Sequence, residues 1–330
     1  MSWLLASVCQ VTSTPTPQRL LLLDTASLYF RAFFGVPDSI TAPDGTPVNA
    51  VRGLLDFIAR LVGEYRPTHL VCCWDDDWRP QWRVDLVPSY KAHRVEQVVP
   101  GEAPDVEEVP DPLQVQIPVI VAVLEALGIA VVGAPEAEAD DVIGTLATDA
   151  GMPVDIVTGD RDLFQLVEDD AQVRVLYIAR GVGRHERVTD AVVVEKYAVH
   201  GSQYADFATM RGDASDGLPG VPGVGDKTAA SLLGSYGDLA AIRAAAADPA
   251  VRMAAGLRSK LNAAADYLDV APEVVAVRRE LDLGVEMSDL LVPGADEDHP
   301  LPRAAESLVE LVDRWGLASS VERVLAAFAR

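Results

Sequence analysis

The sequence predicts an α/β protein, with a core built on a mostly parallel sheet and a helical region after it. Three observations carry that expectation. Short, almost continuously apolar runs recur through the first half of the chain, at Arg19 to Leu23, His69 to Trp74 and Pro153 to Val157, as strands of a sheet covered on both faces do. Segments with apolar residues at helical spacing separate these runs. Beyond about Gly201 the composition becomes alanine-rich and strand signals fade.

The first run ends in Asp24, the second in Asp75, and the third passes through Gly159 into Asp160 and Asp162. Sites in parallel sheets lie at the carboxyl ends of strands. Thr25 to Phe34 reads as a helix carrying Arg31, and Pro37 to Pro47 as a turn-rich loop. From Asn49 to Val62, the residues Val51, Leu54, Leu55, Ile58, Leu61 and Val62 recur at helical spacing, so a crossover helix is expected there. Asp76 to Pro118 shows no clear periodicity, which inside a compact domain reads as a functional lid or a disordered insertion. Its first half interleaves Arg79, Trp82, Arg83, Tyr90, Lys91, His93 and Arg94. That pattern suits a single nucleic-acid strand, because cations follow phosphates and rings stack on bases.

Gln114 to Leu127 reads as a helix and Ile129 to Val132 as a strand. Glu138, Asp140 and Asp141 follow at the start of the next helix. The helix dipole alone favours acidic residues there. Their company with the Asp-terminated strands points instead to hard oxygen ligands, of the kind Mg²⁺ takes while keeping water in its shell. Val173 to Ile178 is a further strand, Gly181 to Arg187 a hairpin tip, and Thr189 a helix cap. Asp213 and Asp216 stand directly before a glycine-rich helical hairpin, Gly217 to Leu233. Its turn at Gly223, Val224 and Gly225 leaves backbone N–H groups at a helix start, which can hold a phosphate without reading a base. Lys227 and Thr228 add a cation and a hydroxyl. An amphipathic pair, Ala304 to Phe328, closes the sequence.

The 330 residues hold 27 Lys and Arg against 50 Asp and Glu, a formal net charge of -23. Phosphate binding is ordinarily supplied by Lys and Arg, so a nucleic-acid partner demands a locally basic track and a modest salt slope. Nine of the acidic residues belong to the groups above, where metal offsets their charge. Two unit charges 4 Å apart repel by about 1 kcal/mol in water and about 4 kcal/mol at an effective dielectric near 20. A pocket of carboxylates therefore calls for cations. Cys9, Cys72 and Cys73 support neither a disulfide framework nor a zinc site, and the five histidines show no ligand spacing. Met1 to Gln18, with its Thr-Pro repeats, reads as a disordered leader on a cytoplasmic protein. No run reaches the roughly 18 apolar residues that span a bilayer.

Three stretches are the most specific: Glu138-Ala-Asp-Asp141-Val-Ile-Gly-Thr-Leu-Ala, Thr158-Gly-Asp-Arg-Asp-Leu-Phe-Gln-Leu166, and Gly212-Asp-Ala-Ser-Asp-Gly-Leu-Pro-Gly-Val-Pro-Gly-Val-Gly-Asp-Lys-Thr-Ala229. Through them the chain, from about Leu20 to about Leu290, resembles the bacterial 5′-3′ exonucleases and flap endonucleases, like the exonuclease domain at the front of DNA polymerase I. The resemblance implies a PIN-like nuclease core over residues 19–200, including an arch region at 76–118. It implies a helical DNA-binding domain over 201–330, with a SAM-like helix-three-turn-helix at 212–235 and K⁺ at its turn. Asp24, Asp75, Glu138, Asp140, Asp141, Asp160, Asp162, Asp213 and Asp216 match the family's ligands for two or more Mg²⁺ or Mn²⁺ ions.

By the same resemblance Lys91, Arg94 and Arg31 orient the scissile phosphate. The DNA contacts expected are Gly223, Val224, Gly225, Lys227 and Thr228 at the hairpin, with Arg83 and Tyr90 in the arch. The activity implied is that of a monomeric 5′-3′ exonuclease and 5′-flap endonuclease of replication or repair. Its substrates would be DNA with 5′ flaps, nicks or free 5′ ends, and RNA primers, beside a separate DNA polymerase. The chain departs from the family pattern at Thr25, where glycine is usual and access for a strand terminus is expected to narrow. It departs again at Asp76-Asp77-Trp78 and at the acidic run Glu102 to Asp111. Two other readings stay open: a DNA-structure-binding protein without catalysis, and an RNA-directed nuclease on the same core.

Overall fold

A computed structural model describes residues 18–98, 105–303 and 305–330. The expected leader, apart from Gln18, and part of the acidic run lie outside the described residues. Strand β1 (Leu20–Asp24) passes directly into helix α1 (Thr25–Gly35), and α2 (Asn49–Tyr65) returns the chain to β2 (His69–Cys73). Helix α3 (Gln81–Leu86), the short strands β3 (Val95–Gln97) and β4 (Val106–Glu107), α4 (Asp111–Gln114) and α5 (Ile117–Ala126) lead to β5 (Ala130–Val132). Helix α6 (Ala139–Ala147) and strands β6 (Val154–Thr158), β7 (Val173–Tyr177) and β8 (Glu186–Val188) complete the main sheet. Its order is β5-β2-β1-β6-β7-β8, parallel throughout except for the β7–β8 pair.

The helical part comprises α7 (Asp190–Tyr197), α8 (Tyr204–Arg211), α9 (Asp226–Tyr236), α10 (Leu239–Ala247), α11 (Ala255–Ala263) and α12 (Ala265–Val275). Helices α13 (Glu306–Trp315) and α14 (Ala318–Phe328) end the described chain. Thr189 accepts a hydrogen bond from the Val192 N–H and caps α7, as its position suggested.

The four leucines of β1 show how the strands divide the interior. Successive side chains point to opposite faces of a sheet, so Leu20 and Leu22 join one core while Leu21 and Leu23 join another. The first core runs from the sheet through α6 into Phe164, Tyr204, Phe207, Met210 and the helices that follow. The second lies under α1, α2 and α5. Each fully buried leucine contributes on the order of 1.5–3 kcal/mol of transfer free energy, and truncating one, as in Leu23→Ala, would leave a cavity that costs about 2–5 kcal/mol.

The C-terminal pair departs from expectation. Leu308, Leu317, Val321, Val324, Leu325 and Phe328 pack into the second core, against α2 and α5, and Arg323 pairs with Asp56 of α2 at 2.7 Å. Residues 306–328 therefore cover the nuclease half, on the same sheet face as α1, α2 and α5 and the opposite face from α7–α12. An amphipathic stripe states that a face is buried, not against what. The expected helix Gln114 to Leu127 is also divided, because Pro118 starts a new helix in its first turn. Gln116 at the break accepts the Ala50 N–H at 2.8 Å and so caps α2.

Candidate active site

The carboxyl ends of β1, β2 and β6 and the start of α6 meet at one cleft of about 880 Å³, lined by Asp24, Asp75, Glu138, Asp140 and Asp160. Short polar links hold these ends in place. Asp24 caps α1 by accepting the Ser27 N–H at 3.0 Å, and its other oxygen accepts the Thr158 hydroxyl at 2.7 Å. Thr158 Oγ1 in turn accepts the Asp160 N–H at 2.9 Å, and Ser27 Oγ accepts the Gly159 N–H at 3.0 Å. Asp75 accepts the Ala139 N–H at 2.8 Å, which fixes α6 to the end of β2. Asp160 Oδ1 accepts the Asp162 N–H at 2.9 Å and leads into a second acidic group, Asp162, Asp213 and Asp216.

The turn that carries Asp213 and Asp216 is clasped to the arch stem. Lys91 N–H donates to Asp216 O at 2.9 Å, Ser89 Oγ donates to Gly217 O at 2.6 Å, and Arg94 Nη2 donates to Asp216 Oδ1 at 3.0 Å. Gly217 has φ of +70°, and a Cβ there would stand 2.0 Å from Ser89 O. Only glycine permits that approach. Lys91 and Arg94 both line the cleft; the Lys91 ammonium pairs with Glu138 Oε2. Arg31 lines it from α1, and its buried Nε has no hydrogen-bond partner.

The acidic groups raise one another's pKa values. Burial, then the charges of Asp75 and Asp160, push Asp24 up to about 6 despite its two hydrogen bonds. Burial, then Asp24 and Asp160, hold Asp140 well above the usual carboxylate range. Asp162 is held there by burial, Asp160 and Asp216. Asp75 and Asp216 are raised chiefly by burial. Glu138 moves the other way: burial opposes ionisation, but Lys91 and then Arg83 outweigh it. For Asp213, burial is outweighed by the hydroxyl and N–H of Ser215.

This donor set fits divalent cations. All its ligating atoms are carboxylate oxygens, and buried Asp162 Oδ1 has no partner. Among the described residues no three or more His, Cys, Asp or Glu side chains are arranged to hold a metal ion by themselves. Mg²⁺ does not need such an arrangement, since it is held by one or two carboxylates and keeps several waters.

Several expectations require correction. Arg83 and Tyr90 do not offer themselves to DNA: both are buried, Arg83 on Glu138 and Asp141, Tyr90 with its hydroxyl on Glu138 Oε1 at 2.7 Å. Their alternation with aromatics reflects an internal ion network, which periodicity cannot distinguish from a stacking surface. Asp141 is fully buried beneath Arg83 and does not line the cleft. Val224 turns its side chain into the core and gives its N–H to Val221 O at 2.9 Å. Gly223, Gly225 and Lys227 are exposed at the start of α9, with Thr228 half-buried beside them. Thr25 is buried with its hydroxyl on Leu23 O, so it does not narrow the cleft. The described residues that follow Asp75 are tied down: Trp78 Nε1 donates to Asp105 O at 2.7 Å, and Asp77 accepts the Arg79 N–H.

Two residues were missed. Glu107 of β4 lines the cleft, its pKa raised by burial and then by Asp75. It belongs to the acidic run Glu102 to Asp111, inside the stretch that reads in sequence as a functional lid or a disordered insertion. Lys260 of α11 donates to the Gly223 carbonyl at 3.0 Å, and nothing in its neighbourhood in sequence signals that contact.

Comparison with known proteins agrees with this geometry. The family model of the 5′-3′ exonuclease N-terminal resolvase-like domain matches residues 19–198, and that of the C-terminal SAM fold matches residues 199–298. A 5′-3′ exonuclease of Streptomyces coelicolor is 59% identical over 92% of this chain and 98% of its own length. One of Mycobacterium tuberculosis is 51% identical over 93% and 97%. DNA polymerase I of Mycobacterium bovis is 44% identical over 69% of this chain but only 24% of that protein. Among solved structures, the T5 5′-exonuclease with bound divalent metal ions (zinc) superposes with a TM-score of 0.60 at 17% identity, over 94% of this chain and all of that one. Flap endonuclease-1 from Methanococcus jannaschii does so with a TM-score of 0.56 at 16% identity, over 94% and 93%. With both halves of the family's architecture matched in order and whole-length relatives above half identity, the chain belongs to the 5′-3′ exonuclease family and is a hydrolase.

Proposed function

We propose that the cleft hydrolyses phosphodiesters of DNA bearing 5′ ends, nicks or 5′ flaps, with two or more Mg²⁺ or Mn²⁺ ions. The observation that carries this reading is the convergence in one cleft of carboxylates from three strand ends, Asp24 buried, Asp75 half-buried and Asp160 exposed, beside Lys91, Arg94 and Arg31. Asp24, Asp75, Glu138, Asp140 and Asp160 would hold one side of the metal centre, and Asp162, Asp213 and Asp216 the other. Bound there, divalent ions would supply a nucleophilic hydroxide and neutralise the phosphate.

The protein's own groups do the rest. Lys91 and Arg94, drawn from the arch stem, exchange a carboxylate partner for a phosphate oxygen, and Arg31 approaches from α1. The exposed N-terminus of α9 at Gly225, with Lys227 and Thr228, holds the duplex backbone. The K⁺ expected at that turn has to share it with the Lys260 ammonium on Gly223 O. RNA primers are substrates if the grip is blind to the sugar. A monomer working beside a separate polymerase is the arrangement this reading favours, in the cytoplasm where chromosomal DNA lies. Among the described residues no helix is long and apolar enough to cross a membrane.

The test is cleavage of an end-labelled 5′ flap with and without Mg²⁺, on DNA and RNA flaps of one sequence. Asp160→Asn and Asp213→Asn should lose cleavage while flap binding survives. Metal-dependent binding without product from the unaltered protein would instead favour a silent structure-binding protein.

A further inference from the structure

We propose that Arg83 is a positioning residue for the metal centre, and that Asp141 is its counter-ion rather than a ligand. The inference rests on the metal-centre reading above. It starts from how completely these two side chains are used. Arg83 is 2% exposed on α3. Its Nη2 donates to Asp141 Oδ1 at 2.7 Å, and its Nη1 donates to Asp141 Oδ2 at 3.0 Å and to Glu138 Oε1 at 2.7 Å. Its Nε donates to the carbonyl of Val274 on α12 at 3.2 Å, and its guanidinium lies 4.6 Å from the centre of the Trp82 ring.

Asp141 is saturated in return. Oδ1 also accepts the Arg278 N–H at 2.8 Å, and Oδ2 accepts the Glu138 N–H at 3.2 Å. Both oxygens therefore have two donors each, and neither faces the cleft. Asp140, one residue before it, does line the cleft. Adjacent residues at a helix start point in different directions, so one carboxylate of the pair serves the cleft and the other the scaffold.

The fork geometry explains why arginine stands here. A guanidinium can grip one carboxylate with two parallel bonds and still reach a second, and lysine cannot. Arg83 thereby fixes the orientation of Glu138, whose remaining partners, Tyr90 and Lys91, belong to the arch stem. One side chain joins the stem, the acidic cleft and α12 of the helical part.

The experiment titrates Mg²⁺ against flap cleavage and, by calorimetry without DNA, measures direct Mg²⁺ binding, for Arg83→Met, Arg83→Lys, Asp141→Asn and the double variant, with Asp160→Asn as control. Groups that orient metal ligands typically change metal affinity about 10–100-fold. Arg83→Met and Asp141→Asn should each raise the Mg²⁺ midpoint about tenfold or more and lower kcat, with KM within about twofold. The double variant should be no worse than either single one, because the two side chains act as one unit. Arg83→Lys, which retains the charge and folds even if Arg83→Met does not, should fall between. A wild-type Mg²⁺ midpoint in the Arg83 variants, with Asp160→Asn inactive, would overturn the inference and leave the metal centre standing. Cleavage abolished by Asp141→Asn but untouched by Arg83→Met would make Asp141 a ligand. If Asp160→Asn cleaves normally, it is the metal-centre reading that fails.

Discussion

The two ends of strand β6 carry buried carboxylates that are treated in opposite ways. At the amino end Asp155, fully buried, accepts from Arg174 at 2.6 Å and from Arg19 at 2.8 Å. Past the carboxyl end Asp162 has an oxygen without a partner among the described residues, and Asp24 on the neighbouring strand accepts from a hydroxyl and an N–H rather than from a cation. A buried ionised group is expensive unless it is paired. Asp155, like Glu138, is compensated by the protein itself, whereas Asp24 and Asp162 are arranged to be compensated by something brought in. The difference marks which end of the sheet is scaffold and which is site.

The sharpest way to break the comparison is Lys91→Met. It removes the ammonium that lines the cleft and pairs with Glu138 Oε2, and kcat should fall about 10²–10³-fold, as when a group stabilising developing charge is deleted. Single-turnover cleavage at saturating flap would show it; a wild-type rate would mean that Lys91 serves only Glu138.

Asp24→Asn tests the site end by stability. The folded chain binds this proton more tightly than the unfolded chain, because its pKa rises from the ordinary 3.8 to about 6. Its contribution is thus fully present below about pH 3.8 and is lost as pH rises through about 6. At neutral pH without metal the ionised carboxylate costs on the order of 3 kcal/mol. Denaturant unfolding in a chelator should therefore find Asp24→Asn more stable than wild type by up to that amount. The gap should close near pH 4 and shrink in saturating Mg²⁺.

Asp155→Asn should do the reverse. It weakens charge-assisted hydrogen bonds and is expected to destabilise by about 1–3 kcal/mol, with the Mg²⁺ midpoint of cleavage unmoved. The arginines on either side are partly exposed and can turn to water, which keeps the loss at the lower end. The smallest effect belongs to Lys227→Ala. Duplex affinity should drop a few-fold, equally for all sequences, and the salt slope should fall by about one. No change in slope would remove Lys227 from the phosphate grip.

Much of this was legible before any coordinates. The strand ends at Asp24, Asp75 and Asp160, the acidic start of α6 and the turn at Asp213 all lie where local patterning put them. The arch was not legible. Its basic and aromatic residues divide between cleft and interior: Lys91 and Arg94 line the cleft, while Arg83 and Tyr90 face inward. A six-residue helix is too short for periodicity to say which way a side chain points. Glu107 was hidden for a similar reason, because a two-residue strand leaves no pattern.

By itself the sequence determined the division of β1 into two cores and the delivery of carboxylates to strand ends, since the two-residue alternation of strands and the turn chemistry of Asp and Gly are local properties. Only the tertiary structure decided which charges are spent inside the fold. Arg83 meets Asp141 across 58 residues and Val274 across 191, and the C-terminal helices choose α2 as their partner. Such pairings depend on what two distant surfaces bury together, which no local pattern specifies.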